Sequence, residues 1–423
     1  MSRDKEGRPF RFAGGMNMLA PDYALQGGEV RDATNLDATN EGVLRTRKGY
    51  AAAPLVAGSR CHSLFGCPSF MLHADGSSLK RTTAAGSEVV ATVQPAEPIA
   101  YAILPSGRVA WSDGSAIGQV GEAGVSSGLC LPSPGAPGLA AVSGGLLKAG
   151  RYVVAAVWVA ASGEESPPSL PVDVVLVDGQ GIALSGIPAM PPVGAVGMRI
   201  YCSHTNEPVL FEAASVAGGA TTARIDSPPA GRQLETLFEA AFPACSSLAF
   251  AGGRLLGIRG NLFIWSEPFR PGVWVPSRNF IPLAQPGSMI APTQDGVYVG
   301  TLGKDGSGEV FFLPGFDFSK SSYMPVTPYG AYPGTMVDMP HTLQMGWASP
   351  QGFVIADNGG QVKNISFEKV AFPMAARGGS MVREEDGIRQ IVTGLSGAGG
   401  LSNFAASDYF NACVVKGASN GGA

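Results

Sequence analysis

The stretch SLAFAGGRLLGIRGNLFIWSEP, residues 247–268, decides the fold. Apolar residues alternate with small or polar ones on both sides of Gly260-Asn261. This pair sits where a two-residue hairpin turn needs positive φ, and alternation with period two is typical of a half-buried strand. The stretch therefore predicts an alternating strand, a tight turn and a second alternating strand.

Four other segments follow the same order of strand, turn and strand. They are HSLFGCPSFMLHADGSSLKRTT (62–83), IAYAILPSGRVAWSDGSAIGQV (99–120), MIAPTQDGVYVGTLGKDGSGEVFFLPG (289–315) and MGWASPQGFVIADNGGQVKNIS (345–366). Asp75-Gly76, Asp305-Gly306 and Asn358-Gly359-Gly360 are their turn signals. Several starts lie roughly 40 residues apart, which is the spacing of blades in a β-propeller. The sequence thus predicts an all-β chain with a propeller of about five blades.

The composition favours strands and extensive contacts. Among 423 residues there are 59 Gly and 33 Pro, which disfavour long helices. Hydrophobic residues make up 45% and charged residues only 15%, a low charged share for a soluble monomer. We therefore expect part of the surface to be covered by further copies of the chain.

The gap between the second and third segments is too long for one blade. Removing about residues 131–232 restores one period, which indicates an insertion. Within it, 149–169 and 196–227 contain short alternating strands separated by turns, the pattern of a fibronectin type III or Ig-like β-sandwich. The Pro-rich LPSPGAPG (131–138) and DSPPAGRQ (226–233) would be its semi-rigid joints.

The predicted organisation has five parts. These are an N-terminal assembly segment (1–50), a first propeller part (51–130), the inserted sandwich (131–232), a second propeller part with a C-terminal hairpin (233–395) and a tail (396–423). The hairpin is SMVREEDGIRQIVTGL (380–395), with strands on either side of Asp386-Gly387. The tail ends in small polar residues and is expected at the surface.

The net charge and the cysteine spacing restrict the kinds of protein that the chain could be. The net charge of −4 argues against a protein that binds DNA by neutralising phosphates. Six Cys without a repeated spacing predict free thiols in a reducing compartment. The first twelve residues lack an apolar signal core, and the apolar run 152–161 is about half a membrane span. We expect a soluble protein made in a cytoplasm, without membrane insertion.

Metal and cofactor sites are not predicted. Cys61, His62, Cys67 and His73 lack the paired spacing of a tetrahedral zinc site, and Cys202 with His204 supplies only two ligands. The glycines of 252–260 lie in a hairpin without a βαβ unit, which argues against a dinucleotide site. Residues 32–42 resemble an acidic Ca²⁺ loop, but their order favours Asx turns.

Catalysis is not predicted either. No His adjoins a nucleophile elbow, and the acidic clusters Glu164-Glu165 and Glu384-Glu385-Asp386 lie near turns, where solvated charge is the ordinary interpretation. A propeller polysaccharide depolymerase is therefore a weak hypothesis for the function. A fibre-anchoring or host-adhesion protein, whose sandwich would face outward, is a stronger alternative than the depolymerase.

The opening stretch GGMNMLAPDYALQGGEVRDATNLDATNEGVLRTRKGY (14–50) resembles the N-terminal signature of tailed-bacteriophage virion proteins of the tail hub or tail nozzle type. In that family Gly-Gly-Met-Asn leads to L..GE.RDA.N.D and then to Arg-x-Arg-x-Gly-Tyr. The matching positions here are Gly14, Gly15, Met16, Asn17, Leu25, Gly28, Glu29, Arg31, Asp32, Ala33, Asn35, Asp37, Arg45, Arg47, Gly49 and Tyr50. The departure is MNM, where the family would place a second Asn.

Later motifs extend the resemblance over most of the chain outside the insertion. The family tends to carry GGRL.G..GN.L.WSEP and then DGVYVGT. The matching positions here are Gly252–Leu255, Gly257, Gly260-Asn261, Trp265–Pro268 and Asp295–Thr301, and REEDGIRQ lies at 383–390. In short-tailed phages such proteins form a hexameric ring below the portal and adaptor and end the channel through which DNA leaves. The resemblance thus implies a non-catalytic ring in the virion tail, with the portal-adaptor ring, tail fibres and passing double-stranded DNA as partners.

The resemblance and the composition together predict an assembly interface in the opening stretch. Its candidate residues are Gly14, Gly15, Met16, Asn17, Arg31, Asp32, Asn35, Asp37, Arg45, Arg47 and Tyr50. The glycines would allow close backbone approach, and the stretch would add to its own or a neighbour's sheet. The basic LRTRKGY (44–50) has two equally supported interpretations, a solvated edge strand or a contact with an acidic partner.

Overall fold

The structure is a computed structural model. It describes residues 11–396 apart from 13, 32, 34–35, 40–41, 48–57, 59, 96, 321, 341 and 386–387. Within this part, every regular element is a β-strand except two 3-10 turns at Asp22–Ala24 and Asn358–Gly360. The all-β prediction is confirmed, because glycine and proline interrupt every stretch before a helix can extend.

The N-terminal segment forms two small sheets. Their strands are β1 (Gly15–Met16), β2 (Glu29–Val30), β3 (Leu36–Ala38) and β4 (Leu44–Thr46). Strands β1 and β2 pair in parallel, and β3 and β4 form an antiparallel hairpin. The segment is thus partly paired with itself.

Two four-stranded antiparallel sheets follow in chain order. Blade 1 consists of β5 (Cys61–Gly66), β6 (Met71–Asp75), β7 (Ser78–Thr83) and β8 (Gly86–Thr92). Blade 2 consists of β9 (Ala100–Ile103), β10 (Val109–Ser112), β11 (Ile117–Val120) and β12 (Ser126–Ser127). Each strand pairs with its neighbour in sequence, which is the up-and-down order of a propeller blade.

A two-sheet sandwich interrupts this series. Its strands are β13 (Gly138–Leu147), β14 (Gly150–Ala160), β15 (Val172–Leu176), β16 (Gln180–Ser185), β17 (Ala195–Ser203), β18 (Leu210–Ala217) and β19 (Ala223–Ile225). The sheet orders are β13-β16-β19 and β15-β14-β17-β18. Apolar side chains of both sheets, among them Trp158, Ile182 and Ile200, share one core. The order β15-β14-β17-β18 corresponds to strands C′, C, F and G of an Ig-like or fibronectin-type sandwich, so the predicted inserted sandwich is confirmed.

Three further four-stranded sheets follow the sandwich. Strands β20 (Ala240–Ala241) and β24 (Val273–Trp274) pair beside blade 3. The blade strands are β21 (Ser247–Ala251), β22 (Arg254–Arg259), β23 (Leu262–Trp265) and β25 (Phe280–Pro282) in blade 3; β26 (Gly287–Pro292), β27 (Gly296–Thr301), β28 (Val310–Pro314) and β29 (Met324–Thr327) in blade 4; β30 (Val337–Asp338), β31 (Met345–Ser349), β32 (Gly352–Ala356) and β33 (Val362–Asn364) in blade 5. The described chain is a β-propeller of five four-stranded blades with a sandwich inserted after the second.

Buried apolar layers join the blades in chain order. Separate clusters join blades 1 and 2, blades 3 and 4, and blades 4 and 5. Ala110 of blade 2 packs with Leu255 and Ile264 of blade 3, so the two sides of the insertion form one body. Trp347 of blade 5 is fully buried against blade 4, and its truncation to Ala would cost about 3–5 kcal/mol.

The C-terminal hairpin lies beside blade 5. Strands β34 (Arg377–Glu385) and β35 (Ile388–Ser396) form it. Its Val382, Ile391 and Leu395 pack on Phe353 and neighbouring residues of blade 5. Alternate residues of the same blade, including Val354, face blade 4. Because successive side chains of a strand point to opposite faces, the hairpin covers the blade 5 face turned away from blade 4.

Two turns differ from the sequence prediction. Asn358–Gly360 forms a 3-10 turn within the longer connection between β32 and β33, and the second difference lies in blade 4. Gly76 and Gly260 have φ values of 59° and 61° and lie in two-residue turns as expected. Asp305-Gly306 was predicted to form such a turn but lies inside the longer loop between β27 and β28. The loop is longer because Asp305 Oδ1 accepts hydrogen bonds from the backbone and hydroxyl of Ser307, which form a local Asx turn away from the strand ends.

Candidate functional site

The two opening glycines have different roles. A Cβ on Gly14 would lie 2.9 Å from the carbonyl carbon of Gly28, so only glycine permits this close approach. Gly15 has a φ of 77° and open space around it, so its backbone conformation favours glycine. Together they let β1 run alongside β2, where Gly15 pairs with Glu29 and Met16 with Val30.

Glu29 is the centre of a hydrogen-bonded set. Its Oε2 accepts from Asn17 Nδ2 at 3.0 Å and from the backbone N–H of Gln26 at 3.0 Å. Its Oε1 lies 2.9 Å from Lys369 Nζ, and the carboxylate side chain is 4% exposed. The hydrogen bond from Lys369, followed by those from Gln26 and Asn17, lowers the pKa of Glu29. The carboxylate is therefore held in its charged form.

Lys369 fastens the opening segment to the chain that follows blade 5. Its Nζ also donates to the Gly14 carbonyl at 3.2 Å, and its own carbonyl accepts from the Met18 N–H at 2.8 Å. Both the side chain and the backbone of Lys369 thus bind the opening segment. The predicted residues Gly14 and Asn17 lie within this contact.

Asp37 joins the two ends of the described chain. Its Oδ2 accepts a 2.8 Å hydrogen bond from Arg383 of the C-terminal hairpin, and its Oδ1 lies 3.8 Å from Arg47 Nε. Arg383 also donates to Gln390 Oε1 on the opposite strand. Two guanidinium groups therefore flank one carboxylate that is 8% exposed.

The other predicted interface residues are spread more widely. Arg31 forms an exposed ion pair with Asp22. Arg45 pairs with Asp37 across the β3–β4 ladder. Asp32, Asn35 and Tyr50 lie outside the described residues, as do the ends of LRTRKGY beyond Arg47.

A cleft of about 650 Å³ lies among blade 5, the opening segment and the C-terminal hairpin. Its walls are mainly apolar and include Met16, Met339, Phe353, Ile365 and Ile391. Asp37, Arg47 and Arg389 supply charge to its lining. A mainly apolar pocket with a few converging charged groups is the usual form of a binding site.

Lys369 and Arg383 are the functional candidates that the sequence did not reveal. REEDGIRQ drew attention to the hairpin but did not indicate a partner for Arg383. Lys369 stands in an ordinary loop sequence, ISFEKVAF (365–372), without any motif. Contacts over such long separations have no local signal, so only the three-dimensional arrangement shows them.

A second charged cluster lies where the sandwich meets the propeller. Glu165 Oε1 accepts from Arg199 at 2.8 Å and from the Tyr201 hydroxyl at 2.7 Å, and it also pairs with Arg232. Arg270 of the propeller donates to the Glu165 carbonyl at 3.3 Å. Burial, and next the hydrogen bond to Glu165, raises the pKa of Tyr201 to about 12. The Arg270 hydrogen bond links this cluster of the sandwich to the propeller.

The potential metal ligands of the described residues are dispersed. None of their His, Cys, Asp and Glu side chains form a group of three that could hold a metal ion. His62 Nδ1 lies 2.9 Å from Ser63 Oγ, but that hydroxyl accepts the Ile99 N–H, and His62 Nε2 has no hydrogen-bond partner among the described residues. The pair therefore lacks the orienting third group of a catalytic triad. Over the same residues, no helix is long and apolar enough to span a membrane.

Comparisons with known proteins add no argument for the fold or the function. No family model and no curated protein matches the chain. The structure is similar to Sqt1 from Chaetomium thermophilum, with 12% identity, a TM-score of 0.27 and coverage of 76% of this chain and 74% of that one. It is also similar to the AfRom2 CNH domain, with 8% identity, a TM-score of 0.25 and coverage of 79% and 94%. TM-scores of this size carry no weight, and the fold assignment rests on the strand order.

Proposed function

We propose that this chain is a non-catalytic structural protein of a phage virion that forms a ring at the tail. The ring would extend the DNA exit channel and take part in genome retention and ejection. The observation that carries the proposal is the contact of Asp37 with Arg383. Both residues belong to motifs of the tail-nozzle resemblance, one near each end of the chain, and they meet in one buried ion pair.

The physical properties of the chain support the same function. A propeller is a rigid body with few unprotected sheet edges, and identical rigid bodies close into rings through heterologous contacts. The net charge of −4 disfavours tight binding to DNA phosphates, which suits a channel through which DNA passes.

The outer side of the opening segment offers a surface for such a contact. Tyr23 is 92% exposed and Leu19 is 52% exposed, although both are large and apolar. The inner side of the same segment is bound to its own chain through Glu29 and Asp37. We infer that Tyr23 and Leu19 contact the next subunit of the ring.

Mass measurement and Tyr23→Ala test this function. The purified protein should form a ring by light scattering and electron microscopy, and the variant should shift it towards monomers with unchanged circular dichroism. Val193→Ala is the matched control, because Val193 is fully exposed on the sandwich. A monomer at every concentration that is also absent from virions would contradict the proposal.

A fibre-anchoring or host-adhesion role is the second candidate. The loop between β16 and β17 carries no charged residue and exposes Met190 (85%) and Val193 (100%). Exposed apolar side chains on a Pro-rich loop favour a protein contact. A cryo-EM map in which the sandwiches contact fibres would support this role.

A further inference from the structure

The cleft beside the C-terminal hairpin lacks an occupant among the described residues. Its volume of about 650 Å³ falls within the range of sites that enclose a small ligand or several side chains. Ile365 on its lining is 51% exposed. A large apolar side chain left half exposed on the lining of an apolar cleft favours a further apolar group beside it.

We propose that residues 401–415 of the same chain, LSNFAASDYFNACVV, bind in this cleft. The described chain stops at Ser396, at the end of β35. Residues 389–393 of that strand line the cleft. Leu401 follows Ser396 by five residues, which span at most about 18 Å at roughly 3.3–3.6 Å per residue. The segment can therefore reach the cleft without any change in the hairpin.

The chemistry of the segment matches the cleft walls. Its large apolar and aromatic residues are Leu401, Phe404, Tyr409, Phe410, Val414 and Val415. Its only charged residue is Asp408. The cleft presents Arg389, whose side chain is 37% exposed and lies 3.8 Å from Glu384, and it therefore has a cation available for a further carboxylate. Apolar side chains would fill the cleft while Asp408 pairs at its border.

Residues 401–415 are covalently linked to the hairpin that lines the cleft. This link favours binding of the chain's own segment over the same segment of a neighbouring subunit. A short linker gives a tethered group an effective concentration of roughly millimolar, far above that of a second subunit in dilute solution. The cleft and the segment belong to one chain, so they can bind whether or not the protein forms a ring.

Disulfide trapping tests this binding, because the segment contains Cys413. Ile365→Cys places a thiol on the cleft lining, in a background carrying Cys61→Ser to remove the exposed cysteine. Val177→Cys, at a sandwich position that is 63% exposed, is the matched control. Mild oxidation of a mixture of isotopically light and heavy protein, followed by peptide mapping, distinguishes disulfides within one chain from those between chains.

The expected result is a disulfide with Cys413 within one chain, at several times the yield of the Val177→Cys control. Equal yields in the two variants, or a disulfide found only between chains, would overturn the proposal. Truncation after Ser396 provides a second measurement without a new thiol. It should raise deuterium uptake in 345–356 and 388–396 and leave the sandwich strands unchanged, and unchanged uptake in all of these would also overturn it.

Discussion

Arg383 Nη2 donates a 2.8 Å hydrogen bond to Asp37 Oδ2, although the two residues are 346 positions apart. The side chains are 18% and 9% exposed, so the pair is largely shielded from water. The bond joins the β3–β4 hairpin to the β34–β35 hairpin. A hairpin that precedes the blades is thus fastened to the hairpin that follows them.

We expect Asp37→Asn to loosen both hairpins. The substitution leaves two guanidinium groups beside a neutral amide, and a shielded ionic hydrogen bond of this kind contributes about 1–3 kcal/mol. The measurement is the opening free energy from amide hydrogen exchange in 36–46 and 377–396. Asp226→Asn is the control, because its ion pair with Arg224 is about half exposed and should change stability by less than about 0.5 kcal/mol. Equal effects of the two variants would show that the Asp37 pair is not structural.

Acid should release the opening segment before the blades unfold. The pKa of Glu29 is lowered below its ordinary value of 4.5, chiefly by Lys369. The carboxylate therefore stabilises the segment fully above about pH 4.5, and this stabilisation is lost as the pH falls through the lowered pKa of the folded state. Protection factors for 14–30 between pH 6 and 3 measure it. Lys369→Met should weaken the segment even at neutral pH, whereas Lys320→Met, which removes an exposed pair with Asp317, should not.

Gly330→Ala should destabilise blade 4. A Cβ at this position would lie 2.0 Å from the carbonyl oxygen of Thr301, whose backbone N–H is bonded to Glu309. Because the obstacle is paired backbone, the clash should cost about 1–3 kcal/mol or more. Gly66→Ala is the matched control, since a Cβ there meets open space. A lowered melting temperature for the first variant alone is expected, and equal melting temperatures would refute the close approach.

The cysteines should differ sharply in reactivity. Burial raises the pKa values of Cys202 and Cys245 to about 12, whereas Cys61 is exposed. Because the thiolate is the reactive form, iodoacetamide at pH 8 should label Cys61 rapidly and leave the two buried thiols unlabelled. Mass spectrometry of peptides from folded and denatured protein measures this, and equal labelling in the folded state would contradict the buried placement.

The blades could be predicted from the sequence because their pairing is local. Apart from β23, which pairs with β25, each blade strand pairs with the next one along the chain, so alternation and turn signals such as Asp75-Gly76 carry the information. Tyr298 and Trp347 illustrate the result, since strands with alternating large apolar residues bury them between adjacent sheets.

The strand order of the sandwich and the contacts of Glu29 and Asp37 could not be predicted from local patterns. In the sandwich β16 pairs with β13 and β19, which are not its neighbours in sequence. Lys369 and Arg383, the distant partners of Glu29 and Asp37, lie more than 300 residues from them, and Lys369 carries no motif. Periodicity reports which face of a strand is buried, and it contains no information about which distant strand or cation meets that face.

The attachment of the sandwich has a consequence for how this molecule could diversify. Leu129, just before the insertion, and Phe242, just after it, lie in the same apolar cluster between blades 2 and 3. The two connections to the sandwich therefore leave the propeller side by side, and the insertion does not separate blades 2 and 3. Another compact module inserted between these two residues would leave the strand pairing of every blade intact. The inserted domain could therefore be exchanged while the propeller stays the same.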